Sequence, residues 1–107
     1  LAQPAHNGFT RPEVTQEHIA RGILDITKKL ESRLKKKGWG SYASRHEIFG
    51  ICAEEMDELL DELRINTPEG YENFAKECLD VAVAGLFGYI CVQYGYIHPS
   101  KRELEKR

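Results

Sequence analysis

With 107 residues, a formal net charge of −2, 41% hydrophobic and 30% charged side chains, the chain has room for one domain with one modest core. The charge balance offers nothing global to draw it to nucleic acid or to a membrane, and the composition is that of a folded domain, not a disordered one. Its longest apolar run, Val81 to Val92, has twelve residues with two glycines, too short to span a bilayer.

Residues 1–14, with Pro4, Gly8 and Pro12, read as an irregular arm. The first fifteen or so positions lack the charged start and apolar core of a signal peptide. Cys52, Cys78 and Cys91 lie in mostly apolar surroundings and read as reduced, buried thiols, so the expectation is a cytoplasmic protein.

A first helix is predicted from Gln16 to about Lys36, with Ile19, Ile23, Ile26, Leu30 and Leu34 on its apolar side. Lys35, Lys36 and Lys37 complement the dipole at its C-terminal end, and Gly38 stops it. Residues 38–43 form a loop carrying Trp39, the only tryptophan. Ser44-Arg45-His46-Glu47 is a capping box that starts a second helix, predicted to run to about Arg64. Ile65 to Glu69 is a turn, with Thr67 as N-cap and Pro68 at the first helical position. The third helix continues to about Tyr94 and ends at Gly95. Ser100-x-x-Glu103 has the pattern of one more short helix in the tail, 96–107. No segment alternates like a strand, so the expected fold is an all-α bundle of three to four helices per protomer.

From Val81 to Val92 the third helix is apolar nearly all round, which calls for burial on every side. Three helices of one small protomer do not easily surround it. Ala84 and Gly88, with Gly85 beside them, would let another helix approach closely, so completion by a homodimer or a dimer of dimers is expected.

Between Ala53 and Leu63 six acids occupy nine positions: Glu54, Glu55, Asp57, Glu58, Asp61 and Glu62. Like charges three or four residues apart oppose a helix by about 0.2–0.5 kcal/mol per pair. A solvated face tolerates that, but Glu55 falls inside the apolar stripe Ile48, Ile51, Cys52, Leu59 and Leu63, with Glu58 at its edge. Glu77 likewise lies within the stripe Phe74, Val81, Ala84 and Gly88, with Asp80 beside it. Isolated charges are rarely buried without a partner or a metal, and no lysine or arginine shares those stripes. A cation from outside the chain is then the simplest neutraliser. An all-oxygen donor set suits Mg²⁺ or Mn²⁺, whereas zinc wants sulfur or nitrogen, and the cysteines lack C-x-x-C spacing. A di-iron carboxylate bundle needs Glu-x-x-His, which none of the histidines provides.

Glu54-Glu55-Met56-Asp57-Glu58, eighteen residues, then Glu77-Cys78-Leu79-Asp80 resembles the E-E-x-x-E … E-x-x-D signature of MazG-like, all-α nucleoside triphosphate pyrophosphohydrolases. The resemblance covers roughly residues 39–95. It implies Mg²⁺-dependent hydrolysis of (deoxy)nucleoside triphosphates to nucleoside monophosphate and pyrophosphate, in the service of clearing unwanted nucleotides. Carried over by position, Glu55, Glu58, Glu77 and Asp80 would be the principal metal ligands. Glu54 would be a further ligand, a group behind the ligands, or the base that orients water, which makes Glu54 and Glu55 the candidate catalytic residues. In similar enzymes an aromatic just ahead of the first metal helix stacks on the base; Trp39 either does this or covers one end of the bundle.

No glycine-rich phosphate loop occurs. Lys76, Arg45, Lys101 and Arg102 are therefore the candidates for phosphate contact, and His46 reads as an exposed spectator. Two other readings use the same residues: a non-catalytic nucleotide- or metal-binding module, and a helical interaction protein whose acids are solvated. Pyrophosphate release separates the first from the enzyme, and Mg²⁺ binding separates the second.

Overall fold

The computed structural model describes residues 10–99. Among these the fold is all-helical, with α1 over Gln16–Lys37, α2 over Arg45–Leu63 and α3 over Pro68–Gln93. The short helix expected from Ser100 lies outside the described residues.

Each helix starts where a side chain takes up an orphan amide. Thr15 accepts from His18 N, Ser44 from Glu47 N and Thr67 from Gly70 N, each at 3.1 Å. Glu47 reaches back, but its Oε1 accepts from Ala43 N at 2.7 Å, one residue before the cap. Gly38, at φ 101°, ends α1, because its left-handed backbone suits only a residue without Cβ. Beyond α3, Tyr96 N and Ile97 N both donate to Cys91 O, and Gly95 makes the turn at φ 84°.

Helices α2 and α3 form an antiparallel hairpin held closely at both ends. A Cβ on Gly88 would stand 2.7 Å from Ile48 Cγ2, and one on Gly70 would meet the Ile65 carbonyl. Gly88 was expected to admit a helix from another protomer; the close approach is instead made by α2 of the same chain. Gly85, by contrast, is exposed and faces open space.

Helix α3 packs on both α1 and α2, whereas the backbones of α1 and α2 stay apart, with no Cα pair within 8 Å. The fully enclosed side chains are accordingly on the central helix: Val83, Ala84 and Cys91, joined by Leu30 of α1. Of the three cysteines expected to be buried, only Cys91 is; Cys52 is half-buried, and Cys78 is exposed on α3. The apolar stripe of α1 is only half used. Leu30 is buried, but Ile19 and Ile23 near its start are exposed. Leu63, placed in the α2 stripe by its spacing, is also exposed, at the last residue of the helix. Phe49, Tyr89 and Val92 leave a second apolar face open on the outer side of the hairpin. The radius of gyration, 17.6 Å, exceeds the roughly 13 Å of a compact chain this long.

Candidate metal centre

The register of the hairpin brings the acids of α2 and α3 to one level. One carboxylate oxygen from each of Glu55, Glu58, Glu77 and Asp80 lies within 4.8 Å of the others. Glu55 and Glu77 reach this point because the apolar spacing that buries their neighbours turns them inward as well. Both are half-buried, and their Oε2 atoms are enclosed without a hydrogen-bond partner. Glu62 Oε2, one turn beyond Glu58, is enclosed in the same way.

Electrostatics follow from this crowding. Burial raises the Glu55 carboxyl above its ordinary value, the charges of Glu58 and Asp80 add to the effect, and Arg33 opposes it. Glu77 is raised as well, first by burial and then by Asp80, Glu58 and Glu55.

These shifts fix the sign of a pH effect. With the folded value above the unfolded one, the folded chain holds the extra proton between the two, so stability falls as pH climbs through that window. In metal-free buffer, denaturation midpoints should therefore decline as pH rises from about 4.5, the ordinary carboxyl value. Glu55→Gln and Glu77→Gln should each flatten the decline. A pH dependence that both variants leave untouched would show that these groups do not carry it.

Asp80 differs from the other three. Lys29 Nζ and Arg33 Nη2 of α1 both meet its Oδ1, Arg33 at 2.8 Å. No lysine or arginine shares the α2 and α3 stripes, but the expectation that the neutralising cation comes from outside the chain is corrected at Asp80, where α1 supplies two cations. Lys29, Arg33 and Lys37 recur every four residues beside Leu30 and Leu34, a basic edge to the α1 stripe that the sequence displays without saying what it faces.

Because α1 and α2 are apart, a cleft of about 480 Å³ opens between them with α3 as its floor. Glu54, Glu55 and Glu58 stand on the α2 wall, Arg33 and Lys37 on the α1 wall, and Val83 and Phe87 below. Glu54 is exposed on this wall and is not among the four converging carboxylates. Tyr42 closes one end; its ring meets Phe87 edge-on at 4.9 Å, and burial raises its phenol above the usual value. A second, apolar cleft of about 460 Å³ shares Leu30, Leu34 and Phe87 with the first and is bordered by Trp39. Trp39 itself is exposed.

Of the residues expected to touch phosphate, Lys76 is exposed and lines neither cleft, and Arg45 borders the outer apolar face instead. Lys101 and Arg102 lie outside the described residues. His46 is exposed.

A group of four carboxylates, two of them with an enclosed oxygen that has no partner, is a donor set that could hold a metal ion. No helix among the described residues is long and apolar enough to cross a membrane. No protein-family model, curated protein or solved structure matches this chain, so the likeness to the pyrophosphohydrolases rests on the motif residues themselves.

Proposed function

We propose that the chain is a Mg²⁺-dependent pyrophosphohydrolase of (deoxy)nucleoside triphosphates, acting in nucleotide clean-up. The observation that carries this reading is the convergence of Glu55, Glu58, Glu77 and Asp80 beside a cleft whose opposite wall is basic. Those four would hold the cation, which when bound offsets phosphate charge and makes a nearby water more acidic. Arg33 and Lys37 bind and orient the phosphate chain from the α1 wall. Glu54 takes the proton from water as it adds across the phosphoanhydride, and the bond to pyrophosphate breaks. The adjoining apolar cleft gives the base an aromatic wall at Trp39.

A second copy of the chain completes the bundle in this reading. The exposed Ile19 and Ile23 on α1, and Phe49, Tyr89 and Val92 across the hairpin, are the faces it would cover.

The test is a screen of natural and modified nucleoside triphosphates for pyrophosphate release with Mg²⁺, run beside melting curves. Millimolar Mg²⁺ or Mn²⁺ should raise the melting temperature, since a ligand of the native state at a hundred times its Kd adds about 2.7 kcal/mol. A curve unmoved by either ion, with or without nucleotide, would remove the metal from the proposal.

A further inference from the structure

We infer that Lys29 and Arg33 are the protein's own counter-cations for the carboxylate centre, exchanged for the divalent ion on loading and then turned to the anionic part of the ligand. This rests on the proposed metal-dependent function and adds to it a coupling between metal and phosphate sites.

Three observations carry it. Asp80 is half-buried within the four-carboxylate cluster, and both cations meet the same oxygen of it. Glu55 and Glu77 have no such partner for their enclosed Oε2 atoms, so the cations pair directly with only one corner of the cluster, although the charge of Arg33 reaches Glu55 as well. Arg33 also lines the cleft, one helical turn from Lys37, opposite Glu54, Glu55 and Glu58.

The physical consequence is competition. A divalent ion that takes Asp80 weakens its hold on two long side chains, because one carboxylate is then shared among three positive groups. Lys29 and Arg33 each keep about a third of their side-chain surface in solvent, so they have room to swing without unpacking α1. Released beside the cleft, Arg33 presents a planar fork of donors suited to phosphate oxygens. Metal loading thereby prepares the phosphate site, and an occupied phosphate site keeps the competitors away from Asp80. Such coupling is reciprocal. Arg33 is in this sense a positioning residue for both ligands.

The experiment measures Mn²⁺ binding to the full chain without nucleotide, and inorganic pyrophosphate binding with and without Mg²⁺, by titration calorimetry. For Arg33→Met, Mn²⁺ alone should bind about three- to tenfold tighter, the scale of a partly exposed ion pair, while pyrophosphate binds at least about tenfold weaker. Lys37→Met should weaken pyrophosphate without tightening Mn²⁺, since Lys37 makes no pair with Asp80. Arg33→Lys should leave Mn²⁺ affinity near wild type, because a charge beside Asp80 remains, yet weaken pyrophosphate, because the planar fork is lost. Lys29→Met, which should also tighten Mn²⁺, serves if the Arg33 methionine variant does not fold. An unchanged or weaker Mn²⁺ affinity in Arg33→Met, with wild-type binding intact, overturns the exchange and leaves the proposed function standing. Failure of the wild type to bind Mn²⁺ at millimolar concentration defeats both.

Discussion

Asp80→Asn and Glu55→Gln are expected to abolish metal-dependent hydrolysis alike but to move the metal-free protein in opposite directions. Each removes one charge from the four-carboxylate group. Loss of a group that merely supports a ligand costs about 10–100-fold in affinity or activity, so a direct ligand should cost at least the upper end of that range. Glu55 has an enclosed oxygen without a partner and a carboxyl that burial already pushes towards its neutral form. Glutamine relieves repulsion there, and metal-free stability should stay level or rise. Asp80 instead holds Lys29 and Arg33. Asparagine leaves both cations without their charge partner, and stability should fall by about 1–2 kcal/mol, between the values for exposed and buried pairs. Asp61, exposed and not among the four converging carboxylates, is the internal control: Asp61→Asn should leave hydrolysis intact. Pyrophosphate release and metal-free denaturation curves on the three variants decide the matter. Equal losses of activity for Asp61→Asn and Asp80→Asn would mean that the faces of the helices are misassigned.

The second large effect belongs to Gly88. Even a methyl group there would stand 2.7 Å from Ile48 Cγ2, inside the closest approach that side chains tolerate. Ile48 is β-branched and has little rotamer freedom in a helix, so it cannot swing aside. Gly88→Leu should destabilise the hairpin by about 3 kcal/mol or more, the upper range for overpacking, although leucine regains about 1 kcal/mol of helix propensity. At about 4–8 °C per kcal/mol the melting temperature should drop by well over 10 °C. Gly85→Ala is the contrast, since its Cβ would point into open space and only the propensity gain remains. Combining Gly88→Ala with Ile48→Ala should recover part of the loss, a coupling that a double-mutant cycle measures directly. Additive losses in that cycle would rule out the proposed contact.

Local signals were the most legible part of the chain. Ser44 and Thr67 were readable as caps, and Gly38 and Gly95 as helix ends, because these choices depend on side chains only a few residues away, whereas the Thr15 cap of α1 emerged only in the structure. Glu55 and Glu77 were also readable as inward, since helical spacing alone puts them among apolar neighbours. What spacing does not encode is the rotation of one helix against another. Leu30 seats α1 on α3, and that contact, not anything within α1, turns Lys29 and Arg33 towards Asp80. The same limit explains Gly88, whose small size signalled a close neighbour but not which helix it would be. Lys76 follows Ala75 on the outer side of α3, where its charge carries no directional information.

The gap between α1 and α2 has a mechanical meaning. A trough with a floor and two walls whose backbones stand apart is stiffened by whatever is laid across it. A ligand reaching from Arg33 to Glu55 would act as a strut, making the cross-brace that the polypeptide omits. Its occupancy and the rigidity of the two walls then become a single quantity, and the empty trough is the looser of the two forms.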